Sequence, residues 1–380
     1  SNAWANAQPL LHHGRARTVA LGHNGNLTNA DSLREELGGR LASTSDSEVI
    51  AALVSTDERP LAEALTTTMA KLEGAASVVG IAEGTLFAFR DRHGFRPLVL
   101  GRLDGAPVVA SETCALDLVG AELEREIRPG ELFLAAEDGE RVEAALEPAE
   151  RGALCIFEFF YLARPDTRLA GVEVHGARVR MGERLAEEAP VEADLVLPIP
   201  DSGTPAAIGF SRASGIPFSE GLIKNRYVHR TFIQPEQSMR EQGVRMKFNP
   251  LAEVAGKRLV VVDDSIVRGS TTRQIVQMLF DSGAAEVHVR VSSPPIVSPC
   301  FYGIDLASEA EMIAASNTVE GVREAIGATS LAYLSLDGLQ AATRRPESAL
   351  CRACLTREYP TRVPVERAKL RFEPTTARSG

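Results

Sequence analysis

The 380-residue sequence has few cysteines and no excess of positive charge. Its 41 lysines and arginines stand against 51 aspartates and glutamates, which gives a net charge of −10. A nucleic-acid-binding domain would show a basic excess or stripe, so that class of function is not expected. No apolar run approaches the length of a membrane span, and no secretory signal peptide is recognisable. We therefore expect a cytoplasmic protein that binds neither nucleic acid nor a membrane, and whose five cysteines are not a disulfide framework.

The remaining composition, 44% hydrophobic and 24% charged residues, is that of an ordinary globular protein. The chain is long enough for two domains that each bury a core. The first three residues, Ser-Asn-Ala, resemble the remnant of an expression tag, and Trp4 begins abruptly inside globular sequence. We therefore expect that an N-terminal part of the first domain is missing.

Residues 4–148 have the pattern of antiparallel strands combined with two helices. The helices are predicted over 31–37 and 46–54, from capping residues and apolar spacing. Strands separated by turn residues are predicted over 18–21, 77–82, 85–90, 97–101, 107–111 and 131–135.

Residues 149–342 instead alternate helices, over 178–188, 204–214 and 272–280, with strands, over 193–199, 218–222, 258–262 and 286–291. This alternation predicts βαβ units and a parallel sheet. The long polar segment 224–250 suits a mobile active-site lid. Residues 343–380 are basic and interrupted by prolines, and we treat them as a separate C-terminal segment.

The most informative segment is 258–272, RLVVVDDSIVRGSTT. Its apolar residues predict a strand buried on both faces, and Asp263 and Asp264 follow at the carboxyl end, where open parallel sheets bind ligands. The next loop offers N–H groups, hydroxyls and a helix N-terminus, which suit a phosphate monoester. Two acids cannot favour a phosphate, so we expect them to accept hydrogen bonds from sugar hydroxyls or to hold Mg²⁺. Together these features predict a ribose-5-phosphate site.

The alternative for this segment is that the two carboxylates only cap the following helix. A cap explains one acid, but seldom two acids followed by a run of Ser, Gly and Thr. Residues 198–205, PIPDSGTP, end another buried strand and begin another helix. They form either a second anion-binding loop, suited to a pyrophosphate, or a simple proline-rich turn.

The cysteines leave three interpretations open. Cys351 and Cys354 form a C-x-x-C pair, which is typical of half a metal site. Cys155 and Cys300 could supply two more thiolates, so structural Zn²⁺, an iron–sulfur cluster and free buried thiols all remain possible. Cys114 follows a predicted strand and has no evident base nearby, so we expect it to be a small core residue.

Two parts of the chain resemble known families. Segment 258–272 resembles the phosphoribosyl pyrophosphate (PRPP) signature of type I phosphoribosyltransferases. Segment 22–27, GHNGNL, is similar to the oxyanion-hole motif of N-terminal-nucleophile glutamine amidotransferases, although Asn-Gly is also a common hairpin turn. The segments that strengthen the likeness are 43–48, 90–97, 110–117, 221–234 and 292–295. The order of the two domains resembles the amidophosphoribosyltransferases, from Trp4 nearly to the C-terminus.

The resemblance implies a fold that combines the α+β and α/β classes. A truncated N-terminal-nucleophile glutaminase domain, an antiparallel β sandwich with helices, would occupy residues 4–148. A type I phosphoribosyltransferase domain, a parallel sheet with flanking helices, would occupy 149–342, and the segment with the C-x-x-C pair 343–380.

The implied reaction transfers ammonia, released from glutamine, to PRPP and gives 5-phosphoribosylamine and pyrophosphate in purine synthesis. Asn24 and Gly25 would form the oxyanion hole, and Asp46 would bind the α-amino group of glutamine. The residues implied in PRPP binding are Asp263, Asp264, Ser265, Ile266, Val267, Arg268, Gly269, Ser270, Thr271 and Thr272, with Lys224, Arg226 and Lys247.

The resemblance also implies cofactors and partners. Ser202, Asp263 and Asp264 would hold Mg²⁺, and Cys155, Cys300, Cys351 and Cys354 match the ligands of the [4Fe–4S] subgroup. Tyr227 would line the route of ammonia. Purine nucleotides would act as feedback inhibitors, and the protein would be a homotetramer.

One departure concerns the glutaminase nucleophile. The family uses an N-terminal cysteine whose own amine is the base, whereas this sequence starts with Ser1 and its earliest cysteine is Cys114. The family's arginine segment for the glutamine carboxylate would lie before Trp4. We therefore predict that this chain does not hydrolyse glutamine.

Two other functions share part of these motifs. A nucleobase phosphoribosyltransferase would use PRPP but would not need the β-rich half that carries residues 22–27. A PRPP-sensing regulator would keep the signature but should carry a DNA-binding module and a basic surface, and the sequence shows neither.

Overall fold

The computed structural model describes residues 4–38, 41–225, 227, 246–306 and 308–363. Arg226 and most of the predicted lid lie outside these ranges. Within them, no helix has both the length and the apolar character needed to cross a membrane.

The first half contains two antiparallel sheets. Their strands are β1 (Leu10–His13), β2 (Thr18–Leu27), β3 (Gly74–Ala82), β4 (Thr85–Arg90), β5 (Val99–Leu103), β6 (Ala106–Ala110), β7 (Glu122–Glu126), β8 (Glu131–Ala136) and β9 (Gly139–Ala144). The larger sheet has the order β1-β2-β3-β4-β8-β9, and the smaller one β6-β5-β7. Ala88 and Phe133 of the larger sheet pack against Leu100 of the smaller one. The predicted antiparallel β sandwich is confirmed.

Helices cover the other face of the larger sheet. They are α1 (Ala30–Glu36), α2 (Asp46–Thr56) and α3 (Leu61–Lys71), and α4 (Thr113–Val119) follows β6. Ile50 of α2 and Leu65 of α3 share a core with Leu21 and Val78 of the sheet. Helix α3 was not predicted, although its buried Leu61, Leu65 and Met69 recur at helical spacing.

The second half is built on a parallel sheet. The strands of this half and of the C-terminal segment are β10 (Leu154–Cys155), β11 (Arg168–Leu169), β12 (Val172–Glu173), β13 (Leu195–Pro198), β14 (Leu222–Lys224), β15 (Phe248–Pro250), β16 (Arg258–Asp263), β17 (Glu286–Val291), β18 (Ser330–Tyr333) and β19 (Leu350–Cys351). The helices are α5 (Val174–Glu188), α6 (Thr204–Ser214), α7 (Ser270–Asp281), α8 (Ile313–Ser316), α9 (Val319–Ile326), α10 (Leu336–Thr343) and α11 (Ala353–Thr356). The four-stranded parallel sheet has the order β13-β16-β17-β18.

Both faces of this sheet are buried under helices, as predicted. Val260 and Val262 of β16 join a core with α5 and α6, whereas Leu259 and Val261 join a second core with α7. Successive residues of a strand point to opposite faces, which explains why β16 is apolar without interruption. Because order β13-β16-β17 places β16 between two parallel neighbours, the carboxyl end of β16 lies at the centre of the sheet edge.

Two local predictions differ from the structure. The predicted strand 218–222 is only an isolated bridge from Phe218 to Val196, and β14 begins at Leu222 and pairs with β15. The hairpin-turn interpretation of residues 22–27 is wrong, because they continue β2 and pair with β3 throughout.

Candidate functional site

Two buried carboxylates lie where β16 ends. Asp263 and Asp264 are 8% and 4% exposed. The N–H of Asp264 donates to Asp263 Oδ1 at 2.9 Å, and the Ser265 hydroxyl donates to Asp264 Oδ1 at 2.5 Å. The Ser202 hydroxyl is a further partner of Asp264. The structure thus brings together the three residues predicted to hold Mg²⁺.

The surroundings of these acids favour their neutral forms. Burial, and then repulsion from the Asp264 carboxylate, raise the pKa of Asp263 well above its usual value. Burial also raises the pKa of Asp264, although hydrogen bonds and the charge of Arg178 counteract it. A bound cation would relieve both the repulsion and the desolvation. The site is therefore suited to a ligand that brings positive charge.

The loop after the acids leads into α7 without a side-chain cap. Gly269 precedes the helix in the left-handed conformation, with φ of 75°, and no side chain accepts a hydrogen bond from the first turn. The alternative in which the two acids cap the helix is therefore wrong. The first turn of α7, which begins at Ser270, leaves backbone N–H groups for an anion. Arg268 forms an ion pair with Glu311 at 3.0 Å.

A second loop, between β13 and α6, lies beside the first. The N–H of Ile199 donates to Val262 O at 2.8 Å. A Cβ on Gly203 would lie 2.5 Å from the same carbonyl oxygen, so only glycine allows this close approach. Since Ser202 contacts Asp264, the two loops and the acids lie next to one another. This arrangement favours the anion-binding interpretation of residues 198–205 over a simple turn.

The cationic residues of the prediction have different surroundings. Lys224, on β14, forms an ion pair with Asp201 of the second loop. The Lys247 ammonium lies 5.4 Å from the centre of the Phe248 ring, next to β15. Tyr227 is 94% exposed, and Arg226 lies outside the described residues.

Asn24 and Gly25 lie on the free end of β2, beyond its pairing with β1, which stops at Leu21. On this edge the N–H of His23 donates to Gln8 Oε1 at 2.7 Å, and that of Leu27 to Asp46 Oδ2 at 2.9 Å. Alternate N–H groups of a strand point the same way, so that of Gly25 points to the same edge. The structure thereby places Asp46 and the N–H of Gly25 on the same edge of β2.

Four cysteines line one apolar cavity. Its walls are formed by Cys155, Cys300, Cys351 and Cys354 with Phe95, Phe157, Tyr302, Ile304, Leu306 and Ala353. Cys155 and Cys351 are paired across β10 and β19. Burial raises the pKa of Cys351 to about 12 and that of Cys354 well above its usual value. Among the described residues, no group of three or more His, Cys, Asp and Glu could hold a metal ion, so the thiols line the cavity without converging on a single-ion site.

Cys114 lies elsewhere, as expected for a core residue. It is 4% exposed, its sulfur accepts a hydrogen bond from the Thr167 hydroxyl at 3.1 Å, and burial raises the pKa of its thiol. Two buried arginines, Arg96 and Arg178, lie beside the proposed sites and were not predicted from the sequence. Arginine is rarely buried without a partner, but a sequence pattern does not show which partner the fold supplies.

The comparisons with known proteins agree with this geometry. A glutamine amidotransferase domain family matches residues 2–118, and a phosphoribosyl transferase domain family matches residues 177–293. Amidophosphoribosyltransferase of Mycobacterium tuberculosis is 51% identical over 382 residues, covering 96% of this chain and 72% of the relative. That of Bacillus subtilis is 46% identical, covering 95% of this chain and 78% of the relative.

A solved structure shows the same fold. Glutamine PRPP amidotransferase from B. subtilis, complexed with ADP and GMP, superposes with a TM-score of 0.90 and 44% identity. It covers 97% of this chain, which in turn covers 83% of that structure. These findings confirm the predicted function in PRPP-dependent purine biosynthesis over the two alternatives. The chain belongs to the amidophosphoribosyltransferase family.

Proposed function

We propose that PRPP binds across the carboxyl end of the parallel sheet and is aminated there. The loop and helix start at 265–272 hold the 5′-phosphate, and Asp263 and Asp264 accept hydrogen bonds from the ribose hydroxyls. The loop 199–203 holds the pyrophosphate. The observation that carries this proposal is the buried carboxylate pair between two loops that each open a helix.

The chemistry at this site is a displacement at the anomeric carbon of ribose. Ammonia forms the C–N bond as the C–O bond to pyrophosphate breaks, and the new amine then loses a proton. Positive charge develops on the sugar and negative charge on the leaving group, so the protein must position and stabilise both. Lys224, held beside the second loop by Asp201, supplies a cation next to the departing pyrophosphate.

Ser202, Asp263 and Asp264 fit the oxygen ligands that Mg²⁺ prefers. Mg²⁺ usually binds through one or two carboxylates together with substrate phosphates, and a pair of buried acids without a full set of ligands agrees with that mode. When bound, the ion would offset the charge of the pyrophosphate.

In this proposal the first half supplies the oxyanion hole and the glutamine-binding carboxylate of a glutaminase site but not its nucleophile, since the earliest cysteine is Cys114. The side-chain amide of Asn24 and the N–H of Gly25 donate to the oxyanion of the tetrahedral intermediate. Asp46 accepts a hydrogen bond from the α-amino group of glutamine, on the same strand edge.

The four cysteines are proposed to hold a [4Fe–4S] cluster. Four thiolates around an apolar cavity, without convergence on one ion, suit a cluster better than Zn²⁺. A bound cluster would also stabilise the thiolate forms, which burial disfavours in Cys351 and Cys354. Its role would be structural, joining residues 350–354 to the rest of the protein.

We also propose a homotetramer that purine nucleotides inhibit. The B. subtilis structure contains ADP and GMP. Leu118, Val119 and Leu123 are exposed near one another on α4 and β7, and a subunit contact would cover such apolar surface. Mass photometry tests the tetramer, and ammonia-dependent amination of PRPP with and without AMP, ADP or GMP tests the inhibition.

The activity is tested by incubating the protein with PRPP and Mg²⁺ plus ammonium chloride, adenine, guanine or no acceptor. We expect pyrophosphate release with ammonium alone. Release that depends on a nucleobase would contradict the proposal, and so would release that Asp263→Asn leaves unchanged.

A further inference from the structure

Arg96 connects the proposed oxyanion hole to the second half of the protein. It lies in the loop between β4 and β5 and is 3% exposed. Its Nε donates to Asn24 Oδ1 at 3.1 Å, and its Nη2 lies 3.0 Å from Glu158 Oε1. Its backbone carbonyl is held by Ser77 and Arg90, at 2.9 and 2.8 Å. The guanidinium is therefore fixed between two partners from different halves.

The contact with Asn24 determines which way its amide faces. An arginine side chain has donors only, so the atom of Asn24 that faces it must be the carbonyl oxygen. The Asn24 NH₂ group then points to the opposite side. An oxyanion requires a donor, so the proposed role of Asn24 depends on this orientation. Without Arg96 the amide could rotate and present its oxygen to the oxyanion, which would repel it.

Glu158 holds Arg96 from the other side. It opens the turn Glu158–Leu162 just after β10 and is 2% exposed. Arg178 of α5 donates to the carbonyl oxygens of Phe159 and Ala163, both at 2.8 Å, and so fixes this turn. A buried ion pair is disrupted at high cost when one partner is removed, so Glu158 restrains Arg96 strongly.

A second contact from the same half restrains the adjoining part of β2. Asn26 Nδ2 donates to Phe301 O at 2.9 Å. A Cβ on Gly303 would lie 2.8 Å from the backbone of Gly25, so the two backbone segments are in direct contact. Residues of the phosphoribosyltransferase half thus restrain both proposed oxyanion donors, Asn24 indirectly through Arg96 and Gly25 through its backbone.

We propose that Arg96 is a positioning residue that orients the Asn24 amide, and that Glu158 makes this orientation depend on the phosphoribosyltransferase half. The inference rests on the proposed glutaminase function. Arg96 acts through Asn24 and touches neither glutamine nor PRPP.

The test compares Arg96→Met, Arg96→Lys and the double variant Arg96→Met/Glu158→Met in a protein that also carries the N-terminal cysteine of the family, because the 380-residue sequence is predicted not to hydrolyse glutamine. Loss of an oxyanion donor lowers kcat by about 10²–10³-fold, so we expect Arg96→Met to lower glutaminase kcat by about tenfold or more. The KM for glutamine should change little, because the oxyanion forms only in the transition state. Ammonia-dependent PRPP amination should be retained, and Arg96→Lys, which keeps a donor, should recover part of kcat.

The double variant separates positioning from stability. It removes the buried unpaired carboxylate, so it should be more stable than Arg96→Met and yet show the same low kcat. Arg17→Met is the matched control, because Arg17 is also buried and pairs with Glu83, but its other partners are the carbonyl groups of Val54, Asp57 and Arg59. A wild-type kcat in the double variant would overturn the proposal. So would a loss of kcat in Arg17→Met equal to that in Arg96→Met.

A second measurement does not need glutaminase activity. The NH₂ signals of Asn24 in a ¹⁵N-labelled spectrum can be assigned by their absence in Asn24→Asp. We expect their chemical shifts to change in Arg96→Met but not in Arg17→Met. If the protein with the N-terminal cysteine lacks glutaminase activity while these signals depend on Arg96, the glutaminase proposal fails and the positioning role stands. If they do not respond to Arg96→Met, the positioning role is wrong.

Discussion

At the residue scale, the acids that end β16 show how a binding site can oppose stability. Asp263 is buried beside a second carboxylate, and both effects disfavour its charged form. A folded state that raises the pKa of an acid loses stability as the pH rises above the ordinary pKa of that acid. Such a residue persists because its contribution to ligand binding outweighs its cost in stability.

We expect Asp263→Asn to raise the Tm at neutral pH and to weaken PRPP binding. Between the unfolded pKa, about 3.9, and the raised pKa, the folded state retains a proton that the unfolded state has lost. Wild-type stability therefore falls with rising pH across this range, and the variant escapes that fall. One kcal/mol corresponds to about 2–4 °C in Tm for a domain of 150–250 residues.

Differential scanning fluorimetry from acid to neutral pH checks this expectation. The difference in Tm between variant and wild type should widen as pH rises. Asp104→Asn is the control, because Asp104 lies in the exposed turn between β5 and β6 with φ of 49°, a conformation that asparagine also tolerates. A variant less stable than the wild type at neutral pH would contradict the argument.

Gly203 illustrates a second kind of constraint, the close approach of two backbones. Alanine there would place its Cβ 2.5 Å from Val262 O, so we expect Gly203→Ala to cost about 1–3 kcal/mol and to lower PRPP affinity. Gly176→Ala is the matched substitution, because Gly176 lies in α5 and its Cβ would meet only the flexible ends of Arg180, at 3.3 Å, and Glu173, at 3.8 Å. It should gain about 0.5–1 kcal/mol. Urea unfolding of both variants measures the change in the free energy of unfolding. Equal changes in the two variants would refute the distinction.

At the element scale, some strands can be predicted from consecutive residues, whereas others depend on a partner that is distant in the sequence. Strand β16 and its loop were predicted because burial on both faces, the acids and the helix start are all consecutive in sequence. Strand β2 was predicted to end at Leu21, because glycine and asparagine are poor strand formers. It continues to Leu27 because β3 pairs with it residue by residue, and a partner fifty residues away leaves no local mark.

The same limit applies to the shortest elements. β10 and β19 have two residues each, and each is a strand only because the other lies beside it. The cysteine spacing predicted a metal site but left Zn²⁺, a cluster and free thiols open, since only the fold brings Cys155 and Cys300 to the C-x-x-C pair. The burial of Arg96 was not predicted for a similar reason, because its partner Glu158 belongs to the other half.

We expect Cys351→Ser to lose bound iron and to loosen the pairing of β10 with β19. A thiolate is removed from the proposed cluster, and the segment 350–356 then loses its link to residues 154–157. Iron analysis together with hydrogen exchange of these two segments measures both effects. The Cys114→Ser variant should keep the iron content of the wild type, because Cys114 contacts Thr167 and Glu112. Zinc in the wild type, or full iron content in Cys351→Ser, would contradict the assignment.

At the scale of the whole molecule, the two halves share a core. Ala75 and Phe95 of the first half cluster with Tyr302 of the second and Ala353 of the C-terminal segment. The rings of Phe95 and Tyr302 are stacked with centroids 4.1 Å apart. The stability of each part therefore depends on its neighbours.

We expect the protein to unfold in one calorimetric transition and Phe95→Ala to split it into two. Removal of a buried phenylalanine costs about 3–5 kcal/mol, and here the loss falls on the contact between the halves. Phe133→Ala removes a ring of similar burial within the first half, so it should lower the Tm without splitting the transition. Two transitions in the wild type would disprove the coupling.

The direct contact of Gly25 with Gly303 has a consequence for protein engineering. Both glycines have positive φ, 153° and 103°, and a Cβ on Gly303 would meet the backbone of Gly25 at 2.8 Å rather than an adaptable side chain. A side chain on Gly303 cannot be accommodated by trimming its partner, since no atom remains to remove. A chimaera that joins this amidotransferase half to a foreign acceptor half would therefore need glycine at the equivalent of position 303, whatever else the acceptor contained.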